Sequence, residues 1–184
     1  MEMDKTTYTL LDKVNSPADI KAMSIGELRI LCEEIRHYMI ECCSVNPGHL
    51  GSSLGAVELI VGLHYVYDAP QDKLVFDVGH QAYAHKLITG RLDVFHTLRQ
   101  AEGMSGFTNR DESPYDALTA GHSGTSISSA IGLAEAKRIA GDDSWVVAVV
   151  GDGSFTNGMI YEALNQLSGK SLRLVIILND NEMS

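Results

Sequence analysis

The run Trp145-Val-Val-Ala-Val-Val150 leads straight into Gly151-Asp152-Gly153, and a second run, Leu172-Arg-Leu-Val-Ile-Ile-Leu178, leads into Asn179-Asp180-Asn181. Both are nearly continuous in apolar, mostly β-branched residues, the pattern of strands covered on both faces in a parallel sheet. A helical pattern at about 158–168 separates them, and another at about 126–140 precedes the first. Further upstream, Lys73-Leu-Val-Phe-Asp-Val78, closed by Gly79, reads as a third buried strand. This alternation predicts an α/β fold, a mostly parallel open sheet with helices on both faces. In such sheets ligands bind beyond the carboxyl ends of the strands. The informative loops therefore begin at Gly79, Gly151 and Asn179.

Helix signals fill the chain before the first strand. Ser16-Pro17-Ala18-Asp19 offers an N-cap, a proline at the first helical position and an acid three residues after the cap. Ser24-Ile25-Gly26-Glu27 repeats the capping-box spacing. Behind it Leu28, Leu31, Ile35, Tyr38, Met39 and Cys42 recur at three- and four-residue steps, predicting a helix of about 20 residues that Pro47-Gly48 ends. The next helix, from about Ser53 to Tyr67, is apolar on most faces and is expected to be buried. No internal repeat or low-complexity linker interrupts the chain, so one domain, or part of one, is expected.

Composition excludes several classes. A chain of 184 residues with 45% hydrophobic and 21% charged residues is globular, able to bury roughly 70% of its unfolded surface. A net charge of −10 disfavours a nucleic-acid surface, which needs clustered Lys and Arg. The longest apolar run, Ala56 to Val66, is broken by Glu58 and His64 and falls short of the roughly 20 residues of a membrane span. The start MEMDKTTYTLLDKV lacks the features of a signal peptide, which makes the cytoplasm the default location. Cys32, Cys42 and Cys43 lie in one helical pattern without CxxC spacing and read as reduced core thiols.

The chemistry concentrates where the strands end. Asp152 and Asn181, emerging at one edge of the sheet, are hard oxygen donors of the kind that bind a divalent ion. Magnesium bridges phosphates, and the glycines around Asp152 let backbone approach them closely. Taken alone, GDG reads equally as a tight turn and NDN as a polar loop. Other motifs fail on inspection. Gly169-Lys170-Ser171 lacks the earlier P-loop glycine at Leu164 and precedes a strand, and Thr156 occupies the third-glycine position of a GxGxxG pattern. No HExxH occurs, which leaves a zinc hydrolase unsupported.

The pairing of GDG with NDN resembles the cofactor motif of thiamine-diphosphate enzymes. Gly48-His49-Leu50-Gly51-Ser52-Ser53, Gly79-His80-Gln81-Ala82-Tyr83-Ala84-His85-Lys86, Gly121-His122-Ser123-Gly124-Thr125-Ser126 and Asn179-Asp-Asn-Glu-Met-Ser184 resemble, in order, segments of the 1-deoxy-D-xylulose-5-phosphate synthase family. The resemblance runs from about Leu10 to Ser184. It implies magnesium ligation by Asp152, Asn181 and the carbonyl of Met183. It implies diphosphate contacts from Gly153 and Ser154, and cofactor contacts from His80, Gly121, His122, Ser123 and Asn181. His49, His80 and His122 take catalytic roles in this reading, as groups that titrate near neutrality. His85, also beside a Gly-rich turn, is grouped with them, whereas His37, His64 and His96 read as structural. Gly124 departs from the family pattern, which more usually carries serine there.

The resemblance further implies that residues 1–184 form the amino-terminal part of a diphosphate-binding domain, without the pyrimidine-binding and carboxy-terminal domains. The implied activity condenses pyruvate with glyceraldehyde 3-phosphate to 1-deoxy-D-xylulose 5-phosphate with loss of CO2, using thiamine diphosphate and Mg2+ in a homodimer. That product serves isoprenoid, thiamine and pyridoxal biosynthesis. The alternatives are an inactive truncated fragment and the small subunit of a split transketolase-like enzyme.

Overall fold

The computed structural model describes residues 8–180. Strands β1 (Lys73–Phe76), β2 (Val146–Gly151) and β3 (Leu174–Asn179) form a parallel sheet in the order β1-β2-β3. The register sets Phe76 opposite Val149 and Gly151 opposite Asn179, so all three carboxyl ends reach the same edge.

Side chains alternate across this sheet as strand geometry requires. Leu74, Phe76, Val147, Val149, Val175 and Ile177 pack into the larger core, and Val75, Val146, Ala148, Leu174 and Ile176 pack on the opposite face. Before the sheet come α1 (Pro17–Lys21), α2 (Ile25–Val45), α3 (Leu50–Leu54) and α4 (Val57–Val66). Helices α2 and α4 supply Leu31, Ile35, Met39, Ile60 and Val61 to the larger core, joined by α5 (Tyr83–Ile88), whose six residues are all buried. Against the other face lies α6 (Ser126–Ala140), contributing Ala130 and Ala134. A short α7 (Asp152–Phe155) continues directly from β2, and α8 (Gly158–Gln166) places Ile160 and Ala163 against Ile127, Ile131 and Val150. Helices on both faces are as the apolar runs predict.

The caps form as the sequence suggests. Glu27 accepts from Ser24 N at 2.8 Å while Ser24 Oγ accepts from Glu27 N, and Asp19 accepts from Ser16 N at 2.8 Å. The three cysteines are free, two of them buried. One expectation is corrected: the helix anticipated over 53–67 is two helices, broken at Gly55-Ala56. The break lets α4 bury Val57, Ile60, Val61, Leu63 and His64 while α3 stays at the sheet edge, where the buried Ser53 donates to His80 O at 3.0 Å. The apolar reading of α4 fails at its end, where Tyr65 and Val66 are exposed. Among the described residues no helix is long and apolar enough to cross a membrane.

Candidate functional site

Past the end of β1 the backbone makes a tight reversal. Asp77 still bonds through its N–H to Val149 O, then Gly79 N donates to Asp77 O at 2.6 Å around Val78, whose φ is +60°. Such a three-residue turn with positive φ is rare, and for a β-branched residue it carries on the order of 1–3 kcal/mol of strain. Gly79 follows at φ +85°, where a Cβ would lie 3.0 Å from Thr108 N. Only glycine combines that conformation with the close approach of the 105–120 loop. The reversal delivers His80 to the sheet edge.

There His80 meets His49, the residue just before α3. Their rings lie 5.6 Å apart at 76°, and Phe107 sits 5.6 Å from His49 on another side. His49 N donates to Tyr83 Oη at 3.0 Å. Both Nδ1 atoms are buried and, among the described residues, without a hydrogen-bond partner, which leaves them able to bond a ligand. Burial lowers the pKa of both rings, helped by the Arg99 charge for His49 and by the neighbouring His49 for His80. Both are therefore mostly neutral at pH 7, with a ring nitrogen available to accept or donate.

The Gly121–Thr125 turn stands before α6. It is anchored by Asp77, 1% exposed, whose carboxylate accepts from Gly124 N at 2.9 Å and Ser126 N at 3.0 Å. One carboxylate at the end of β1 thus fixes this turn from the position three residues before His80. Gly121, His122 and Ser123 are exposed. From the neighbouring connection, Asp152 opens α7, followed by the exposed Gly153 and the half-buried Ser154.

The structure thus brings His49 and His80 together, and it ties the turn carrying His122 and Ser123 to β1. Because Gly151 pairs with Asn179, Asp152 and Asp180 follow neighbouring strand ends at the same edge. Asn181 and Met183 lie outside the described residues. Among the described residues no three His, Cys, Asp or Glu side chains converge as a metal centre. A carboxylate such as that of Asp152 is a hard oxygen donor of the kind that suits magnesium.

His85 does not belong to the site. It is fully buried, with Nδ1 2.8 Å from His64 Nε2 and Nε2 2.9 Å from Asp116 Oδ1. With both rings neutral, one proton arrangement fits: His64 Nε2–H donates to His85, and His85 Nε2–H donates to Asp116. Arg91 donates to both oxygens of Asp116 at 2.9 and 2.8 Å, and the buried Lys86 Nζ donates to Glu112 at 2.5 Å. Burial alone would raise the Asp116 carboxyl, but the bonds from His85 and Arg91 outweigh it and hold it far below the usual carboxylate range. Burial pushes the pKa of His64, His85 and Lys86 down. Sequence reasoning missed Asp77, Arg91, Glu112 and Asp116. For Asp77 a signal existed, a charged residue closing an apolar strand immediately before Val78-Gly79.

Comparison with known proteins agrees with the fold. The sequence profile described as 1-deoxy-D-xylulose-5-phosphate synthase matches residues 11–184. The chain is 57% identical over 175 residues to the 1-deoxy-D-xylulose-5-phosphate synthase of Thermus thermophilus and 56% identical over 175 residues to that of Anaeromyxobacter dehalogenans. In each case the match covers 95% of this chain and 28% of the relative, so the chain spans little more than a quarter of their length. A transketolase from Leishmania mexicana shares the fold, with a TM-score of 0.75 over 88% of this chain and 28% of its own, at 23% identity. With the profile covering nearly all of its length, the chain belongs to the 1-deoxy-D-xylulose-5-phosphate synthase family.

Proposed function

We propose that this chain carries the diphosphate- and metal-binding half of a thiamine-diphosphate- and Mg2+-dependent synthase that condenses pyruvate with glyceraldehyde 3-phosphate, losing CO2, to form 1-deoxy-D-xylulose 5-phosphate. In this reading residues 1–184 are the amino-terminal part of the diphosphate-binding domain of a cytoplasmic homodimer. The product enters isoprenoid, thiamine and pyridoxal biosynthesis. The observation that carries the reading is the parallel register of β2 and β3, which sets Gly151-Asp152 beside Asn179-Asp180 at the edge where His80 also emerges.

Asp152 is the charged magnesium ligand, completed by Asn181 and the carbonyl of Met183. Gly153 and Ser154 contact the diphosphate, with Gly121, His122 and Ser123 lining the cofactor. When bound, thiamine diphosphate supplies a nucleophilic thiazolium carbon and an electron sink. His49 and His80, kept neutral by burial, accept or return protons at Nδ1 as the substrate oxygens change charge.

The test is calorimetric titration of magnesium and thiamine diphosphate into a full-length enzyme containing this segment. Asp152→Ala is expected to abolish binding and to remove the thermal stabilisation, about 2.7 kcal/mol at a hundredfold excess over Kd, that the cofactor gives the unsubstituted enzyme. Asn181→Ala is expected to weaken binding less, since an amide contributes an oxygen but no charge. Unchanged affinity in Asp152→Ala would return GDG to the status of a turn.

A further inference from the structure

Two turns bearing candidate cofactor residues, Gly121–Thr125 and Asp152–Asn157, belong to different connections of the sheet, and one side chain spans the gap between them. Asn157 Oδ1 accepts from Met159 N at 3.0 Å, capping α8, and its Nδ2 donates to Ser123 O at 3.3 Å. Directly under this amide lies Gly124, with φ +82°. A Cβ built there would sit 2.6 Å from Asn157 Cγ and 2.7 Å from its Nδ2, so no side chain fits at 124 while the amide is in place. Behind the turn Asp77 accepts from Gly124 N and Ser126 N. The turn is therefore gripped from β1 on one side and from α8 on the other.

We propose that Asn157 is a positioning residue of the diphosphate site. It ties the turn of His122 and Ser123 to the segment of Asp152, Gly153 and Ser154, so that groups from two connections behave as one rigid unit before the ligand arrives. Gly124 is the counterpart of that tie: where the family pattern more usually places serine, this chain leaves the space to the amide of Asn157. A short amide pinned at both ends has little rotamer freedom left to lose, which is what a preorganised anion site needs. The proposal rests on the diphosphate reading above.

Two variants and their combination in a full-length enzyme containing this segment test it, each read by melting without cofactor and by calorimetric affinity for thiamine diphosphate with magnesium. Asn157→Ser keeps an oxygen that caps α8 but cannot reach Ser123. It is expected to melt close to the parent and to bind about tenfold more weakly, as for contacts of this coupling strength. Gly124→Ser alone meets both the amide and the unfavourable φ and is expected to lower the melting temperature clearly. In the double variant the amide is gone and only the backbone cost remains, so the melting loss is expected to be smaller than in Gly124→Ser alone. Parental affinity in Asn157→Ser would overturn the positioning role and leave Asn157 a helix cap. Strict additivity of the melting losses would overturn the pairing of Asn157 with Gly124. A parent enzyme that binds no thiamine diphosphate would overturn the diphosphate reading itself, while the melting cycle still decides whether the two turns are tied.

Discussion

Two pairs of histidines, each with one member soon after β1, differ in burial and in hydrogen bonding. His64 and His85 stack at 5.0 Å and 20°, fully buried and joined in a chain that ends on Asp116 and Arg91. His49 and His80 meet edge to face at 5.6 Å, half-exposed, each with a buried Nδ1 that finds no partner among the described residues. The inner pair is bonded into the fold through His64 Nε2 and both ring nitrogens of His85, holding α4, α5 and the 105–120 loop together, with only His64 Nδ1 left without a partner among the described residues. The outer pair keeps bonding capacity in reserve at the sheet edge. A histidine beside a glycine-rich turn is therefore not a site residue by that token. What separates the pairs is whether a buried charge terminates the chain of hydrogen bonds.

The largest effect expected from breaking this contrast is at Asp116. Asp116→Ala leaves the Arg91 guanidinium and the His85 N–H buried without their acceptor, and it is expected to cost about 3–5 kcal/mol of stability, measurable by urea unfolding. A loss under 1 kcal/mol would show that the inner cluster does not hold the fold.

Next in size is the split between activity and stability. In a full-length enzyme, His80→Ala and His122→Ala are expected to lower kcat about 10²-fold with little change in melting temperature, and His64→Ala is expected to do the reverse. Equal losses in both measurements for His80 would place it with the inner pair. The isolated 184-residue chain should show no detectable synthase turnover in the same assay.

The smallest effect, counted per ring, is in pH dependence. His64 and His85 have folded-state pKa values below their ordinary 6.5, so below pH 6.5 the unfolded chain binds protons that the folded one refuses. Their contribution to stability is complete above about 6.5. As the pH falls further it is lost, at up to about 1.4 kcal/mol per pH unit for each ring. Urea midpoints between pH 7.5 and 5 should fall accordingly, and a variant lacking His64 should fall less steeply. A flat profile would mean that the inner rings are charged in the folded state.

Periodicity made much of the fold legible. The span anticipated for α6 coincides with the helix, α2 begins behind its capping box, and the strands shift by one or two residues at their ends. Strand alternation also revealed the shared edge at which Asp152, Asn179 and His80 emerge. What stayed hidden depends on partners far apart in sequence. Lys86 and Glu112 are 26 residues apart, and Arg91 and Asp116 are 25, so no local pattern marks His85 as a core residue. The break at Gly55-Ala56 likewise follows from docking α3 and α4 on different neighbours, since both halves have helical composition. Gly124 was visible as a departure from the family pattern, but its reason lies in Asn157, 33 positions later.

The pairing of Lys73 with Val146 carries a consequence for the order in which the chain takes shape. On a ribosome adding about 5–20 residues per second, β1 emerges several seconds before the strand that completes its ladder. In that interval the apolar side chains of Leu74 and Phe76 can be shielded only by what has already been made, helices α2 and α4, with which they share a core. The amino-terminal helices therefore act as an internal holding surface for a strand synthesised too early. Mutations that loosen α2 or α4 are expected to lower the yield of folded protein during synthesis more than they lower the stability of the finished fold.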